Sequence, residues 1–280
     1  MDLTVAWDWK SNLSLTSFDE REENENVTAN GGPGVLSPNV IRGALYQSVP
    51  NDPNIYLFGG TTSFEANSTL YSDSTILPGF DSPPIGPNSL YSYNPDLKSW
   101  NRTDISAQSP ISPNSGAYAE APDRGLAFWF NGEIDSGSSS STKTLGDAFI
   151  PVPGMIVIET GNGSKVTNVS TQGVSGGQPR YRGKMVYIPG VGEKGILLHI
   201  GGSAKATTDV SDAPGVMVTM DTIDFADISL LFTNPGQAWY KQSTVGDFPP
   251  PRMDHCLVVA SAQDNSSHNM QVSAVQSIQP

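Results

Sequence analysis

The chain has 280 residues, with 28 acidic against 15 basic side chains. Its net charge of −13 and pI near 4.4 set it against a phosphate backbone, so nucleic acid is excluded as an expected partner. Charged residues are only 15% of the whole, while 28 Gly and 22 Pro supply turns at a density that suits many short strands rather than long helices.

In chain order, residues 1–41 begin Met1-Asp2-Leu3-Thr4, with neither the basic nor the apolar region of a secretion signal. Leu3 to Lys10 reads as the closing strand of a preceding unit, with Trp9 as its packing aromatic. Asp19-Glu20-Arg21-Glu22-Glu23, the densest charge patch, reads as a solvated loop.

Residues 42–114 form the first full unit. The strand opened by Ile41-Arg42-Gly43-Ala44 is followed by the apolar run Ile55-Tyr56-Leu57-Phe58, which ends in the pair Gly59-Gly60. A long loop, Thr61–Asn88, leads to Tyr93-Asn94-Pro95-Asp96-Leu97-Lys98-Ser99-Trp100, a second hairpin with its turn set by Pro and its Trp packed back on Tyr93. Residues 115–181 repeat the pattern in degenerate form. Leu126 to Phe130 ends in Asn131-Gly132, Asn being the best non-glycine choice where φ must be positive. A loop, Asp135–Gly146, follows, and the stretch Ile158 to Val166 keeps the second hairpin without a Trp. Residues 182–251 restore the full pattern with Ile196 to Ile200, Gly201-Gly202, the loop Ala204–Gly215 and the frame Phe232-x6-Trp239. Residues 252–269 start a further unit, and 270–280 carry no glycine, as a non-repeat tail or an artefact of the gene model would.

The phase of the repeat is set by two series. Gly59 and Gly201 are 142 residues apart, two steps of 71, and aligning Gly43, Gly116, Gly183 and Met253 gives steps of 73, 67 and 70. Two hairpins per unit make a four-stranded blade, and radial repetition of such blades is a propeller. The fold class expected is therefore all-β, with about three complete four-stranded blades and partial blades at both ends. Since a ring removes sheet edges by closing, an unclosed stack would be poorly soluble or loosely folded; pairing of the two ends into a four-bladed ring is the other outcome.

Glycine pair, then aromatic-x6-Trp, in an all-β chain resembles the kelch family. Leu3 to Lys10, Val40 to Gln47, Tyr187 to Gly195 and Asp264 to Asn269 are similar to segments of fungal secreted or membrane-anchored kelch surface proteins. The resemblance covers about residues 1–269. It implies about six blades, a secretion signal and often a membrane anchor in the full-length protein, and no reaction. The structural positions it marks are Gly59, Gly60, Tyr93, Trp100, Gly132, Gly201, Gly202, Phe232 and Trp239. It also points to two metal sites known in kelch folds, and neither is complete. A galactose-oxidase-like copper site needs a Cys–Tyr cofactor and paired His, whereas Cys256 is the one cysteine. An iron-binding E-x3-D-x3-H run is approached only by Asp264-x3-His268, with Ala260 in the Glu position.

Other chemical motifs dissolve on inspection. Gly190-Val191-Gly192-Glu193-Lys194-Gly195 matches GxGxxG but precedes a short strand rather than the helix whose N-terminus would hold a pyrophosphate. Gly173-Val174-Ser175-Gly176-Gly177 matches GxSxG but runs into Pro179, where a nucleophile elbow needs a helix. His199 reads as a core or channel-facing residue, His255 as a hydrogen-bonding residue of its blade, and Cys256, in an apolar run, as buried. One cysteine also excludes an intrachain disulfide. No catalytic residue, cofactor or metal ligand is assigned.

Sequons stand at Asn12, Asn26, Asn67, Asn101, Asn162, Asn168 and Asn265, an excess over chance that favours a secretory route. No apolar run reaches the ~20 residues of a membrane helix. The chain is thus expected to be a non-catalytic interaction module, extracellular or at the cell surface in its full-length form, binding a protein or a glycan through its loops. An intracellular scaffold and, more remotely, a galactose-oxidase-like enzyme are the alternatives.

Overall fold

The computed structural model describes residues 38, 40–61, 88–109, 111–146, 148–162, 165–171, 179–189, 191, 195–203, 220–224, 240–242 and 253–273. The side chains at 140, 143, 162, 220–224 and 240–242 are outside that description.

The fold is all-β. The first sheet is a four-stranded antiparallel meander of β1 (Ile41–Gln47), β2 (Ile55–Thr61), β3 (Ser89–Asn94) and β4 (Ser99–Asp104), paired in chain order. The second is β5 (Ala117–Ala121), β6 (Leu126–Phe130), β9 (Met155–Glu159) and β10 (Lys165–Val169). Between its two hairpins a ribbon of β7 (Glu133–Ile134) and β8 (Ile150–Pro151) is inserted. The third is β11 (Lys184–Ile188), β12 (Ile196–Ile200), β13 (Met220–Asp224) and β14 (Tyr240–Gln242), and a hairpin of β15 (Cys256–Ser261) and β16 (His268–Ser273) follows.

Strand alternation makes each sheet two-faced, and the sheets bury those faces against one another in order. Tyr46, Tyr56, Phe58 and Leu90 of the first sheet pack against Ala127, Trp129, Ile156 and Ile158 of the second. The opposite face of the second sheet, with Ala117, Ala119, Phe128, Phe130 and Val157, meets Met185 and Leu197 of the third. Leu198 and Ile200 on the far side of the third sheet meet Leu257, Val259 and Met270 of the hairpin. Phe58, Phe130 and Ile200 occupy equivalent places, since each lies on its unit's second strand opposite the first residue after the repeat glycine: Ala44, Ala117 and Lys184. On β5 the buried positions are the short side chains Ala117, Ala119 and Ala121, which fill little space between neighbouring sheets.

At the end of the second strand the backbone turns left-handed in every full unit, at Gly59 (φ 71°), Asn131 (φ 50°) and Gly201 (φ 68°). The three glycines of the first strands have a steric reason. A Cβ at Gly43 would lie 2.9 Å from the Gly59 carbonyl oxygen, and those at Gly116 and Gly183 would lie 2.4 Å from Trp129 and His199, whose side chains cross over them.

Four sequence expectations need correction. Cys256 is exposed, because β15 is covered on one face only and alternation turns Cys256, Val258 and Ala260 outward while Leu257 and Val259 face the third sheet. The phase glycine of the fourth unit is replaced by His255 rather than Met253, since Asp254 (φ 52°) shares the left-handed backbone of Arg42, Ser115 and Arg182. The hairpin continues to Ser273, past the expected limit of 269; by register Ser273 stands where Phe58 does, so the glycine-pair positions fall at 274–275, outside the described residues. The strand paired with β14 is Met220–Asp224, ahead of Phe232, so the partner of the fourth strand comes from earlier in the chain than the aromatic-x6-Trp frame requires. Phe232 and Trp239 themselves lie outside the described residues. In the second sheet Ile158 pairs with Val166 as Tyr93 pairs with Trp100, so Val166 takes the Trp position.

Candidate binding edge of the stacked sheets

The residue just before each first strand's glycine is Arg42, Ser115 and Arg182, with Asp254 at the fourth place. All four hold a left-handed backbone, with φ of 59°, 55°, 59° and 52°. That conformation is uncommon for Arg or Ser, and hydrogen bonds between sheets account for it. The Ser115 N–H donates to the Arg42 carbonyl at 3.1 Å, Arg182 N–H to the Ser115 carbonyl at 2.6 Å, and Asp254 N–H to the Arg182 carbonyl at 3.0 Å. A second series runs beside it, with Gly60 N–H donating to the Pro113 carbonyl at 2.8 Å and Gly132 N–H to that of Arg180 at 3.1 Å. Four units are thus laced together along one edge.

The side chains at this edge are polar and charged. Arg182 donates from Nε and Nη2 to Glu133 Oε1 at 3.4 and 3.3 Å, and its Nη1 lies 3.9 Å from Asp254 Oδ2. Glu133 is 1% exposed, and burial pushes its carboxyl above the ordinary range, opposed by Arg182, Ser115 and Arg42. Glu133 Oε2 has no hydrogen-bond partner. Arg42 and Asp254 are exposed at the two ends of the row, and Arg182 is half-buried.

The inserted segment after β7 ties in here. Asp135 accepts hydrogen bonds from Thr61 Oγ1 of the first sheet at 2.5 Å and from Asn114 Nδ2 at 3.2 Å. Phe149 packs edge-on to Tyr181, with Arg182 over its ring at 5.8 Å. Within the Asp135–Gly146 loop Ser138 and Thr142 are buried, whereas Ser141, Thr144 and Gly146 are exposed.

His199 and His255 are both 1% exposed. His199 packs against Phe130 at 4.9 Å between ring centres, and its Nδ1 has no hydrogen-bond partner. Desolvation, with Arg180 and His255 nearby, holds its pKa down to about 3, so the ring is neutral. His268 lies away from that pair, with Nδ1 2.8 Å from Ser261 Oγ in its own hairpin. Among the described residues no three His, Cys, Asp or Glu side chains gather as a metal site requires.

The structural positions expected from sequence fall within the sheets rather than at the edge chemistry. Tyr93 and Trp100 form a cross-strand pair 5.1 Å between ring centres, and Gly59, Gly60, Gly132, Gly201 and Gly202 all have positive φ. On either side of the GxGxxG stretch β11 and β12 pair antiparallel, and a strand follows Gly195 directly; residues 190 and 192–194 of that stretch, and the GxSxG stretch at 173–177, lie outside the described residues. Of the sequons, Asn101 on β4, Asn168 on β10 and Asn265 in the β15–β16 turn are exposed. Asn162 ends a short 3-10 turn, and Asn12, Asn26 and Asn67 lie outside the described residues. Sequence reasoning missed Arg42, Ser115, Glu133, Arg182 and Asp254 as a set. The x-Gly dipeptides that open the first three units mark the positions of Arg42, Ser115 and Arg182 but not their left-handed backbone or their convergence.

These four-stranded antiparallel sheets, stacked face to face in chain order with left-handed strand ends at a fixed repeat phase, have the arrangement of propeller blades. No protein-family profile matches the chain. It is similar to a kelch repeat-containing protein of Arthroderma benhamiae, 27% identical over 276 residues, covering 87% of this chain and 36% of the relative. The chain therefore spans little more than a third of the length of that curated relative. A solved structure of YjhT aligns at 13% identity with a TM-score of 0.45, covering 85% of this chain and 67% of that one. Among the described residues, no helix is long and apolar enough to cross a membrane.

Proposed function

We propose that the chain is a non-catalytic interaction module, extracellular or at the cell surface, that binds a protein or a glycan. The observation that carries this reading is the laced edge, where Arg42, Ser115, Arg182 and Asp254 from four successive units converge with Glu133 on one polar row. A surface assembled from four successive described units presents Arg42 and Asp254 on a backbone fixed by inter-sheet hydrogen bonds, which lowers the ordering cost of binding. Electrostatic complementarity at such a row gives specificity and rate of association. The exposed sequons at Asn101, Asn168 and Asn265 support the extracellular location.

The test is a glycan array and a screen of extracellular proteins with the purified chain, repeated with Arg42→Glu and Asp254→Lys. Ligands should be lost or weakened at least tenfold with either variant, and more so at low salt. Ligands retained with equal affinity by both variants would remove the edge from the reading. Subcellular fractionation of the natural host tests the location, and a cytosolic pool alone would overturn it.

A further inference from the structure

The first sheet carries a groove of about 260 Å³ on its outer half, lined by Tyr56, Leu90, Ser92, Leu97, Asn101 and Thr103, among others. Its origin is the cross-strand row Tyr46–Tyr56–Ser92–Asn101, which runs from buried aromatic to exposed amide. Tyr46 and Tyr56 are covered by the second sheet, whereas on β4 the same face carries Ser99, Asn101 and Thr103, short polar side chains suited to a wet surface. Asn101 and Thr103 are the acceptor and hydroxyl residues of one sequon, and alternation puts both on the groove wall.

We propose that Asn101 is an N-glycosylation site whose first sugar residue seats in this groove. The lining suits a hexosamine: hydroxyl groups of Ser92, Ser99 and Thr103 for its ring hydroxyls and acetamide, and Leu97 for its C–H face. Leu97, at 75% exposed, is the apolar side chain such a sugar would cover. In the transfer, the bond from Asn101 Nδ2 to sugar C1 forms as the C1–oxygen bond to a lipid-linked diphosphate oligosaccharide breaks. Nδ2 gives up one proton and the lipid diphosphate leaves. The inference rests on the extracellular reading only for the route that brings the natural chain to that donor.

The experiment supplies the route itself. The full 280-residue chain is secreted from a eukaryotic host behind a heterologous leader, and each sequon's occupancy is read by amidase release in heavy-oxygen water. Asn101 is expected to be tagged in Thr103→Ser and untagged in Thr103→Ala. Trimming the glycan to its first sugar should leave the melting temperature unchanged, and complete removal should lower it by about 2–4 °C. Asn265→Gln, which removes a sequon in an open turn, should not shift it. An untagged Asn101, or a melting temperature indifferent to loss of the first sugar, would overturn the proposal. Neither result bears on where the natural protein resides, because the leader is supplied.

Discussion

The Ser115 amide donates to the Arg42 carbonyl at 3.1 Å across two sheets, and both residues hold a left-handed backbone that their side chains do not favour. Arg182 and Asp254 continue the series. The backbone cost at each position, on the order of 1–3 kcal/mol, is tolerated because the next sheet holds it in place. The stacking of the sheets and the charged edge are therefore one construction.

The crossing of Trp129 over Gly116 leaves no room for a methyl group. Gly116→Ala places its Cβ 2.4 Å from the indole, so the ring or the strand must move. A loss of about 1–3 kcal/mol in urea unfolding is expected. Unchanged stability would mean that Trp129 has a second resting place.

Tyr46 reports on the contact between the first two sheets. Its hydroxyl donates to the Phe128 carbonyl at 3.0 Å in a fully buried setting. Tyr46→Phe should cost about 0.5–1.5 kcal/mol, whereas Tyr118→Phe, on a ring 40% exposed, should stay within about 0.5 kcal/mol.

His199 makes the chain sensitive to acid. Unfolded, the ring takes a proton near 6.5; folded, burial holds its pKa to about 3. Stability from this group is complete above 6.5 and declines as pH falls toward 3, by up to about 1.4 kcal/mol per pH unit. His199→Gln should flatten that decline in denaturation curves taken across the same window, even if it lowers stability at neutral pH.

Glu133 acts in the opposite sense. Its carboxyl titrates above the ordinary 4.5 in the folded state, chiefly through desolvation. The folded chain therefore binds the proton more tightly, and stability falls as pH rises through the range just above 4.5. Glu133→Gln should remove this loss. Chemical denaturation from pH 4 to 7 decides it, and a steeper loss in the variant would show that the Arg182 pairing dominates burial.

Cys256 should react with an aromatic disulfide reagent in the native chain, without denaturant, because its strand face is open. Reaction only after unfolding would show that this face is covered in solution.

Much of the fold was legible in the chain because its causes are local. Alternating apolar residues set the strands, glycine pairs mark where φ must be positive, and both recur at a fixed interval. Asn131 could be read as standing in for glycine for the same reason. The charged edge could not be read this way: Arg42, Ser115, Arg182 and Asp254 share no side-chain signature for a left-handed backbone, and what imposes it is an amide or carbonyl on another sheet.

The order of residues is enough to set that hairpins repeat and that each must hide an apolar face. Which face meets which neighbour follows from the packing of one sheet on the next. That choice exposes Cys256 and buries Glu133 against Arg182, while within each sheet Trp129 and His199 fold over the glycines that open the neighbouring strand. The difference is one of range. Strand propensity and turn geometry act over a few residues, whereas burial and charge pairing depend on groups tens of residues away that only packing brings within reach.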